Sequence, residues 1–123
     1  MDFWILVIDD DPGTLEALVA ILHRAGYQVV SLPGNAGLES ACRDQRFQVA
    51  VVDYHLPDFS GLEVARQLKR LQPDCKVILI SSELPSPAEL PQPGEVVDRF
   101  LAKPFSKDAI LEVISQLCPT GSQ

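Results

Sequence analysis

The chain has 123 residues, of which 46% are hydrophobic and 22% charged, a composition that fits one globular domain with a core of its own. Its net charge of −7 is opposite in sign to that of a typical nucleic-acid-binding domain, so we expect no direct binding of DNA or RNA. The three cysteines form no close pair, and the longest apolar run, residues 3–8, is too short to cross a membrane. We therefore expect a cytoplasmic protein that does not associate with membranes.

The first half of the chain predicts two strand–helix pairs. Residues 3–8 form a continuous apolar run, which is typical of a strand covered on both faces. The helix that follows has Asp11 as its N-cap and Pro12 in its first turn. A weaker strand over residues 28–32 precedes a second helix, for which Asn35 is the expected cap.

The second half continues the alternation of strands and helices. Continuous apolar runs at residues 49–52 and 77–80 predict two buried strands, and the helix between them ends before Pro73. Residues 99–102 predict a weaker strand, and Ser106 caps a last helix. This alternation predicts right-handed βαβ units in an open, doubly wound parallel sheet with helices on both faces.

Polar residues follow the predicted strands. Asp9 and Asp10 follow the first strand, Asp53 the third, Ser81 the fourth and Lys103 the fifth. Since the carboxyl ends of parallel strands share one edge of the sheet, these side chains should converge there. Converging carboxylates repel one another, and a hard divalent cation such as Mg²⁺ or Mn²⁺ relieves the repulsion. An ammonium and a hydroxyl opposite them suit a phosphoryl group, so the edge is a candidate site for phosphoryl transfer.

Residues 7–12, 51–61, 78–82 and 100–105 together resemble the receiver domain of two-component response regulators, and the resemblance covers essentially the whole chain. It implies a flavodoxin-like sheet of five parallel strands in the order 2-1-3-4-5. It also implies a signalling switch rather than a turnover enzyme, which controls a partner or an output domain. We place the receiver domain at residues 1–118 and a tail or linker at residues 119–123.

The resemblance also implies the phosphoacceptor and the metal ligands. A sensor histidine kinase, or a histidine phosphotransfer domain, would donate its phosphoryl group to Asp53. Asp10 and Asp53 would ligate Mg²⁺ directly, together with the backbone carbonyl of His55. Asp9 would contribute through a water molecule.

The residues that respond to the phosphoryl group follow from the same resemblance. Lys103 would pair with the carboxylate and then with the phosphoryl group, Ser81 would bond a phosphoryl oxygen, and Phe100 would turn inward. The family meets its partners, a second copy of the chain among them, through the surface beside Phe100. His55 and Glu83 flank the phosphoryl site, and two interpretations stay open for them: solvated rim residues, or tuning of the phosphoryl lifetime.

One segment departs from the family pattern. The family places its fourth helix between the fourth and fifth strands, but here four prolines interrupt residues 83–95. Proline removes a backbone donor and clashes with the preceding turn, so we predict that this helix is short or irregular. The four are Pro85, Pro87, Pro91 and Pro93.

Three alternatives to a working receiver differ from it in what they require of the sequence. A haloacid-dehalogenase-like phosphatase would use an aspartate after the first strand as its nucleophile, but Pro12 stands where that motif has glycine. A flavodoxin-like cofactor binder would need a phosphate loop there, and the run Asp9–Asp11 would repel a phosphate. A receiver fold that has lost its chemistry is the third alternative, but all the key positions of the family are filled in this sequence.

Overall fold

A computed structural model describes residues 3–56, 60–82 and 96–118. Within these residues the strands are β1 Trp4–Ile8, β2 Gln28–Leu32, β3 Val49–Asp53, β4 Lys76–Ser81 and β5 Arg99–Ala102. The helices are α1 Pro12–Arg24, α2 Leu38–Asp44, α3 Gly61–Leu71 and α4 Lys107–Leu117. The prediction of a short or irregular helix in residues 83–95 falls outside the described part of the chain, so α4 here is the helix that follows β5.

The five strands form one parallel sheet in the order β2-β1-β3-β4-β5, which confirms the predicted architecture. The two strands with the weaker apolar patterns, β2 and β5, lie at the two edges, as expected. Because every strand runs in the same direction, the loops that follow β1, β3, β4 and β5 all emerge at one edge. In the described part of the chain, no helix is long and apolar enough to span a membrane.

Helices cover both faces of the sheet, and the alternation of side chains along β1 shows how. Leu6 and Ile8 point into a core with residues of α2 and α3, whereas Ile5 and Val7 point into a core with residues of α1 and α4. All four of these side chains are fully buried. The continuous apolar runs of the sequence therefore reflect two cores that share one sheet.

Side-chain caps begin three of the helices. Asp11 accepts a hydrogen bond from the Thr14 amide at 3.1 Å, and Ser106 accepts one from the Ala109 amide at 3.0 Å, as predicted for both. The predicted Asn35 cap of α2 was wrong. The backbone carbonyl of Asn35 accepts the Leu38 amide at 3.1 Å and closes a turn, after which the N-cap position falls on Gly37, which has a φ of 85°.

Candidate functional site

An acidic cluster lies at the carboxyl edge of the sheet. Asp9 follows β1 and is fully buried, Asp53 is the last residue of β3 and is 5% exposed, and Asp10 is exposed. The pairing of Ile8 with Val52 in the β1–β3 ladder brings the two strand ends side by side. One carboxylate oxygen from each aspartate lies within 4.8 Å of the others, so the convergence predicted from the strand ends is confirmed.

A single ammonium faces two of these carboxylates. Lys103 Nζ donates to Asp9 Oδ2 at 3.1 Å and to Asp53 Oδ2 at 3.3 Å, and its side chain is 22% exposed. The Lys103 amide donates to the Ser81 carbonyl at 2.8 Å, which places the residue next to the end of β4. The Lys103–Pro104 peptide bond is cis. Lys103 therefore neutralises part of the charge that the cluster concentrates.

Backbone amides hold the other carboxylate oxygens in place. The Asp11 amide donates to Asp9 Oδ1 at 2.9 Å, and the His55 amide donates to Asp53 Oδ1 at 3.1 Å. Each of the two buried carboxylates thus accepts one hydrogen bond from a loop amide and one from Lys103. Both carboxylates are oriented by the loops that follow their own strands.

The pKa values of both Asp9 and Lys103 are raised by their surroundings. Burial raises the pKa of Asp9, and the charge of Asp53 adds to the rise, although the Asp11 amide and Lys103 oppose it. Burial alone would lower the pKa of Lys103, but its hydrogen bond to Asp9 and the negative charges of Asp9 and Asp53 outweigh that effect and raise it. The site therefore holds a firmly protonated lysine beside carboxylates that would gain from a further positive charge.

Four further site residues were named from the sequence, and the structure describes the positions of three of them. Ser81 ends β4, is 2% exposed and is joined to Lys103 through its backbone. His55 is exposed, with its ring 4.9 Å from that of Tyr54. Phe100 lies in β5 opposite Leu79, half-buried against the core that contains α3. Glu83 lies outside the described residues.

Gly61 is a site residue that sequence reasoning missed. Its amide donates to the Tyr54 carbonyl at 2.7 Å at the start of α3, directly behind Asp53. A Cβ at this position would lie 2.7 Å from Tyr54 Cα and would also collide with the Asp53 carbonyl. The only signal for it in the sequence is its place at the end of the matching stretch 51–61, and that stretch gives no reason for a contact between α3 and the loop after β3.

The donor set of the cluster fits a hard divalent cation. All three groups are carboxylates, and Mg²⁺ in proteins is held by one or two carboxylates together with carbonyls and water. Asp10 is the exposed member, so it can be reached from solvent, while Asp53 lies at the inner side. No cysteine or histidine belongs to the cluster, which argues against a zinc-type site in the described part of the chain.

Comparison with known proteins agrees with this geometry. The family model of the response regulator receiver domain matches residues 5–115. The chain belongs to this family. It is therefore a phosphoryl-accepting signalling switch rather than a turnover enzyme, which decides against the phosphatase and cofactor-binding alternatives. Receiver domains partner with histidine kinases.

Individual relatives match over most of this receiver domain. The C4-dicarboxylate transport transcriptional regulatory protein DctD of Pseudomonas aeruginosa is 36% identical over 111 residues, which are 89% of this chain and 24% of DctD. The chain spans about a quarter to a half of the length of most of the curated relatives that it matches first. Those relatives carry further sequence beyond the matched region.

Two solved structures with the same fold each contain a divalent metal ion. The response regulator TrrA of Thermotoga maritima, in complex with Mg²⁺ and BeF, is 26% identical with a TM-score of 0.81, covering 94% of this chain and 98% of TrrA. A response regulator of Burkholderia pseudomallei, with a phosphorylated aspartic acid, a calcium ion and citrate, is 26% identical with a TM-score of 0.83. That match covers 98% of this chain and 72% of the other.

Proposed function

We propose that the Asp53 carboxylate is the phosphoryl acceptor of this receiver domain. The observation that carries the proposal is the position of Asp53, at the end of the central strand β3 between two further carboxylates and the Lys103 ammonium. It is the one carboxylate of the cluster that contacts Lys103 and also lies at the end of a strand rather than in the loop beyond it. The phosphorylated aspartate in the relative from B. pseudomallei supports the same chemistry.

The proposed reaction is a displacement at phosphorus. An Asp53 carboxylate oxygen forms the new O–P bond, the P–N bond to the donor's histidine breaks, and the imidazole that leaves takes up a proton. The positive charge of Lys103 compensates the negative charge on the phosphoryl oxygens, and the Ser81 hydroxyl donates a hydrogen bond to one of them. The His55 amide keeps the carboxylate turned towards the incoming group, because it already donates to Asp53 Oδ1 at 3.1 Å.

The metal ligands proposed for this chain are Asp10, Asp53 and the backbone carbonyl of His55, with Asp9 acting through a water molecule. Mg²⁺, or Mn²⁺ in its place, would supply the positive charge that three neighbouring carboxylates lack. Support comes from the spacing of the carboxylate oxygens, which lie within 4.8 Å of one another, and from the Mg²⁺ of TrrA. Lys103 is already engaged with Asp9 and Asp53, so Asp10 is the carboxylate that is most available to a cation.

The proposed donor is a sensor histidine kinase or a histidine phosphotransfer domain. A cleft of about 480 Å³ borders the site and is lined in part by Asp11, Thr14, Lys103 and Pro104. In this proposal the donor histidine approaches the acidic cluster from the side of Lys103, which lines the cleft. The phosphoryl group would then alter the β4–β5 edge around Phe100, and the partners there would be an output domain or a second copy of the chain.

The whole protein's role extends this proposal. DctD is named a transcriptional regulatory protein, and a receiver at residues 1–118 would control an output of that kind. His55 and Glu83, which flank the phosphoryl site in the sequence, are the proposed positions that set the phosphoryl lifetime. His55 is exposed beside the site, where it can meet an attacking water.

The test is phosphorylation by a small phosphodonor. Wild-type protein, Asp53→Asn and the control Asp74→Asn are incubated with acetyl phosphate and Mg²⁺, and the intact proteins are weighed by mass spectrometry. Asp74 is a matched control because its side chain is 90% exposed and belongs to the loop before β4, at the other end of the sheet. We expect one phosphoryl group on wild type and Asp74→Asn and none on Asp53→Asn, since an amide cannot form the acyl phosphate.

The possible outcomes separate the assignment from its alternatives. Equal mass gain in wild type and Asp53→Asn would place the phosphoryl group elsewhere. No mass gain in the wild type at any Mg²⁺ concentration would mean that the chain has kept the fold of a receiver and lost its chemistry.

A further inference from the structure

A second charged cluster lies at the opposite end of the sheet from the phosphoryl site. Lys69 Nζ, from the last turn of α3, donates to Asp98 Oδ2 at 3.0 Å and to the Cys75 carbonyl at 2.7 Å. The same Asp98 oxygen accepts the Val77 amide at 2.8 Å. The side chains of Lys69 and Asp98 are only 18% and 14% exposed. One ion pair therefore joins α3, the start of β4 and the residue before β5.

The ion pair fixes how β5 begins. The Asp98 amide donates to the Val77 carbonyl at 2.8 Å. Asp98 is therefore hydrogen-bonded to the backbone of Val77 through both its own backbone and its side chain. The ladder then continues from Ile78–Arg99 to Ser81–Ala102. β5 has only four residues and lies at the edge of the sheet, where it has one neighbouring strand, β4. A strand this short has few ladder hydrogen bonds of its own to hold its register.

Lys103 is the first residue after β5, so its position depends on that register. Its amide donates a hydrogen bond to the Ser81 carbonyl at 2.8 Å, directly after the last pair of the ladder, Ser81–Ala102. A slip of one residue would displace Lys103 by about 3.3 Å and turn the side chains of β5 to the opposite face. Since Nζ lies 3.1 Å and 3.3 Å from its two carboxylates, neither hydrogen bond would survive such a displacement.

We propose that Asp98 and Lys69 are positioning residues for Lys103. They clamp the start of β5 to β4 and α3, and thereby hold the Lys103 ammonium against Asp9 and Asp53 from the far end of the strand. The inference rests on the proposed role of Lys103 in phosphoryl transfer. Partial burial makes the loss of one charge costly, because the other charge is then left partly desolvated without its counter-charge.

The chain contains a matched comparison for this ion pair. Arg46 and Asp74 also form a pair, with 3.6 Å between the nearest atoms, but their side chains are 74% and 90% exposed. An exposed pair of this kind contributes little to stability. Asp74→Asn therefore controls for the loss of one negative charge and of one ion pair without any effect on β5.

The experiment compares Lys69→Met, Lys69→Arg, Asp98→Asn and Asp74→Asn with wild type. Methionine keeps the length of the apolar stem of Lys69, and asparagine keeps an acceptor for the Val77 amide. Backbone amide hydrogen exchange is followed by NMR at Lys103, with amides of the central strand β3 as the internal reference. The rate of aspartyl phosphate formation from acetyl phosphate and Mg²⁺ is measured on the same samples, as is the affinity for Mg²⁺.

We expect exchange at the Lys103 amide to accelerate about tenfold or more in Lys69→Met, with the β3 amides unchanged. Phosphorylation should slow by several fold in that variant, and Asp98→Asn should be affected less because the acceptor remains. Lys69→Arg, which keeps the charge, should restore most of the rate. Asp74→Asn should match wild type in every measurement.

Two results would overturn the proposal. Equal acceleration at Lys103 and in β3 would show that the pair supports the whole fold and not the position of β5. Selective exchange at Lys103 together with a wild-type phosphorylation rate would show that the clamp does not act on the reaction. If wild type itself were not phosphorylated, the proposed function would fail, yet the exchange measurement would still decide whether the clamp fixes β5.

Discussion

Lys103 contacts Asp9 more closely than Asp53, at 3.1 Å against 3.3 Å, so it divides its charge between the proposed acceptor and a neighbouring carboxylate. The sequence could predict that these residues converge, because each follows a parallel strand. It could not predict how Lys103 distributes its hydrogen bonds, since that depends on side-chain directions that only the packed structure fixes. Burial and the negative charge of Asp53 both disfavour the charged form of Asp9.

The raised pKa of Asp9 predicts that its charge opposes folding at neutral pH. Although Lys103 and the Asp11 amide favour the carboxylate, burial and the charge of Asp53 outweigh them, so the surroundings favour an uncharged side chain. We therefore expect Asp9→Asn to increase the free energy of unfolding by about 1 kcal/mol at pH 7, measured by urea denaturation. Asparagine keeps an oxygen for the Asp11 amide, and Lys103 keeps its contact with Asp53.

The pH dependence of this gain has a definite sign. A carboxyl group whose pKa is raised on folding contributes stability that is full below its unfolded pKa and is lost as the pH rises through the raised value. The advantage of Asp9→Asn should therefore shrink as the pH falls from 7 towards 4, because the wild type then protonates Asp9. A gain that stays constant over this range would show that the variant acts through packing and not through the charge.

The start of α3 packs against the end of β3, the strand that carries Asp53. Ser60 caps it by accepting the Glu63 amide at 3.2 Å, and Gly61 packs against the backbone of the residues that end β3. The caps of α1 and α4 followed from local patterns, because capping depends on neighbouring residues in the chain. The Asn35 cap was wrong because the Asn35 carbonyl closes a local turn, which moves the N-cap of α2 to Gly37. The Gly61 contact was missed because it forms only when the start of α3 packs against the end of β3.

Gly61→Ala tests this contact between helix and loop. A methyl group at this position would lie 2.7 Å from Tyr54 Cα and 2.9 Å from the Asp53 carbonyl carbon, which are backbone atoms with little freedom to move. We expect a loss of about 1–3 kcal/mol in the free energy of unfolding, together with slower phosphorylation of Asp53. Gly34→Ala is the matched control, since a Cβ there meets nothing within 4 Å. Equal stability of the two variants in urea would contradict the tight contact.

At the scale of the whole molecule, a parallel sheet with helices on both faces was predictable because buried parallel strands have continuous apolar sequences. The order of the strands followed from the resemblance to receiver domains and not from these sequences. The clamp between Lys69 and Asp98 was not predictable, because its members are 29 residues apart and meet only after α3 has packed beside β4. The two charged clusters lie at opposite ends of the same sheet. In the proposed arrangement, the register of β5 against β4 links the Lys69–Asp98 pair at one end of the strands to the phosphoryl site at the other end.

The net charge of −7 and the acidic cluster together predict that Mg²⁺ stabilises the folded domain. The unfolded chain does not hold three carboxylates in one place, so the cation binds the native state preferentially. At Mg²⁺ concentrations ten- to a hundredfold above the dissociation constant, the expected gain is about 1–3 kcal/mol. Thermal unfolding with and without MgCl₂, at an ionic strength matched with NaCl, measures this gain.

Because Asp10→Ala removes the exposed ligand, we expect it to lose most of the stabilisation by Mg²⁺, whereas Asp74→Ala, with the same change in charge, should keep it. An equal response of both variants to Mg²⁺ would mean that the cation screens the acidic surface in general and does not bind at the carboxyl edge of the sheet.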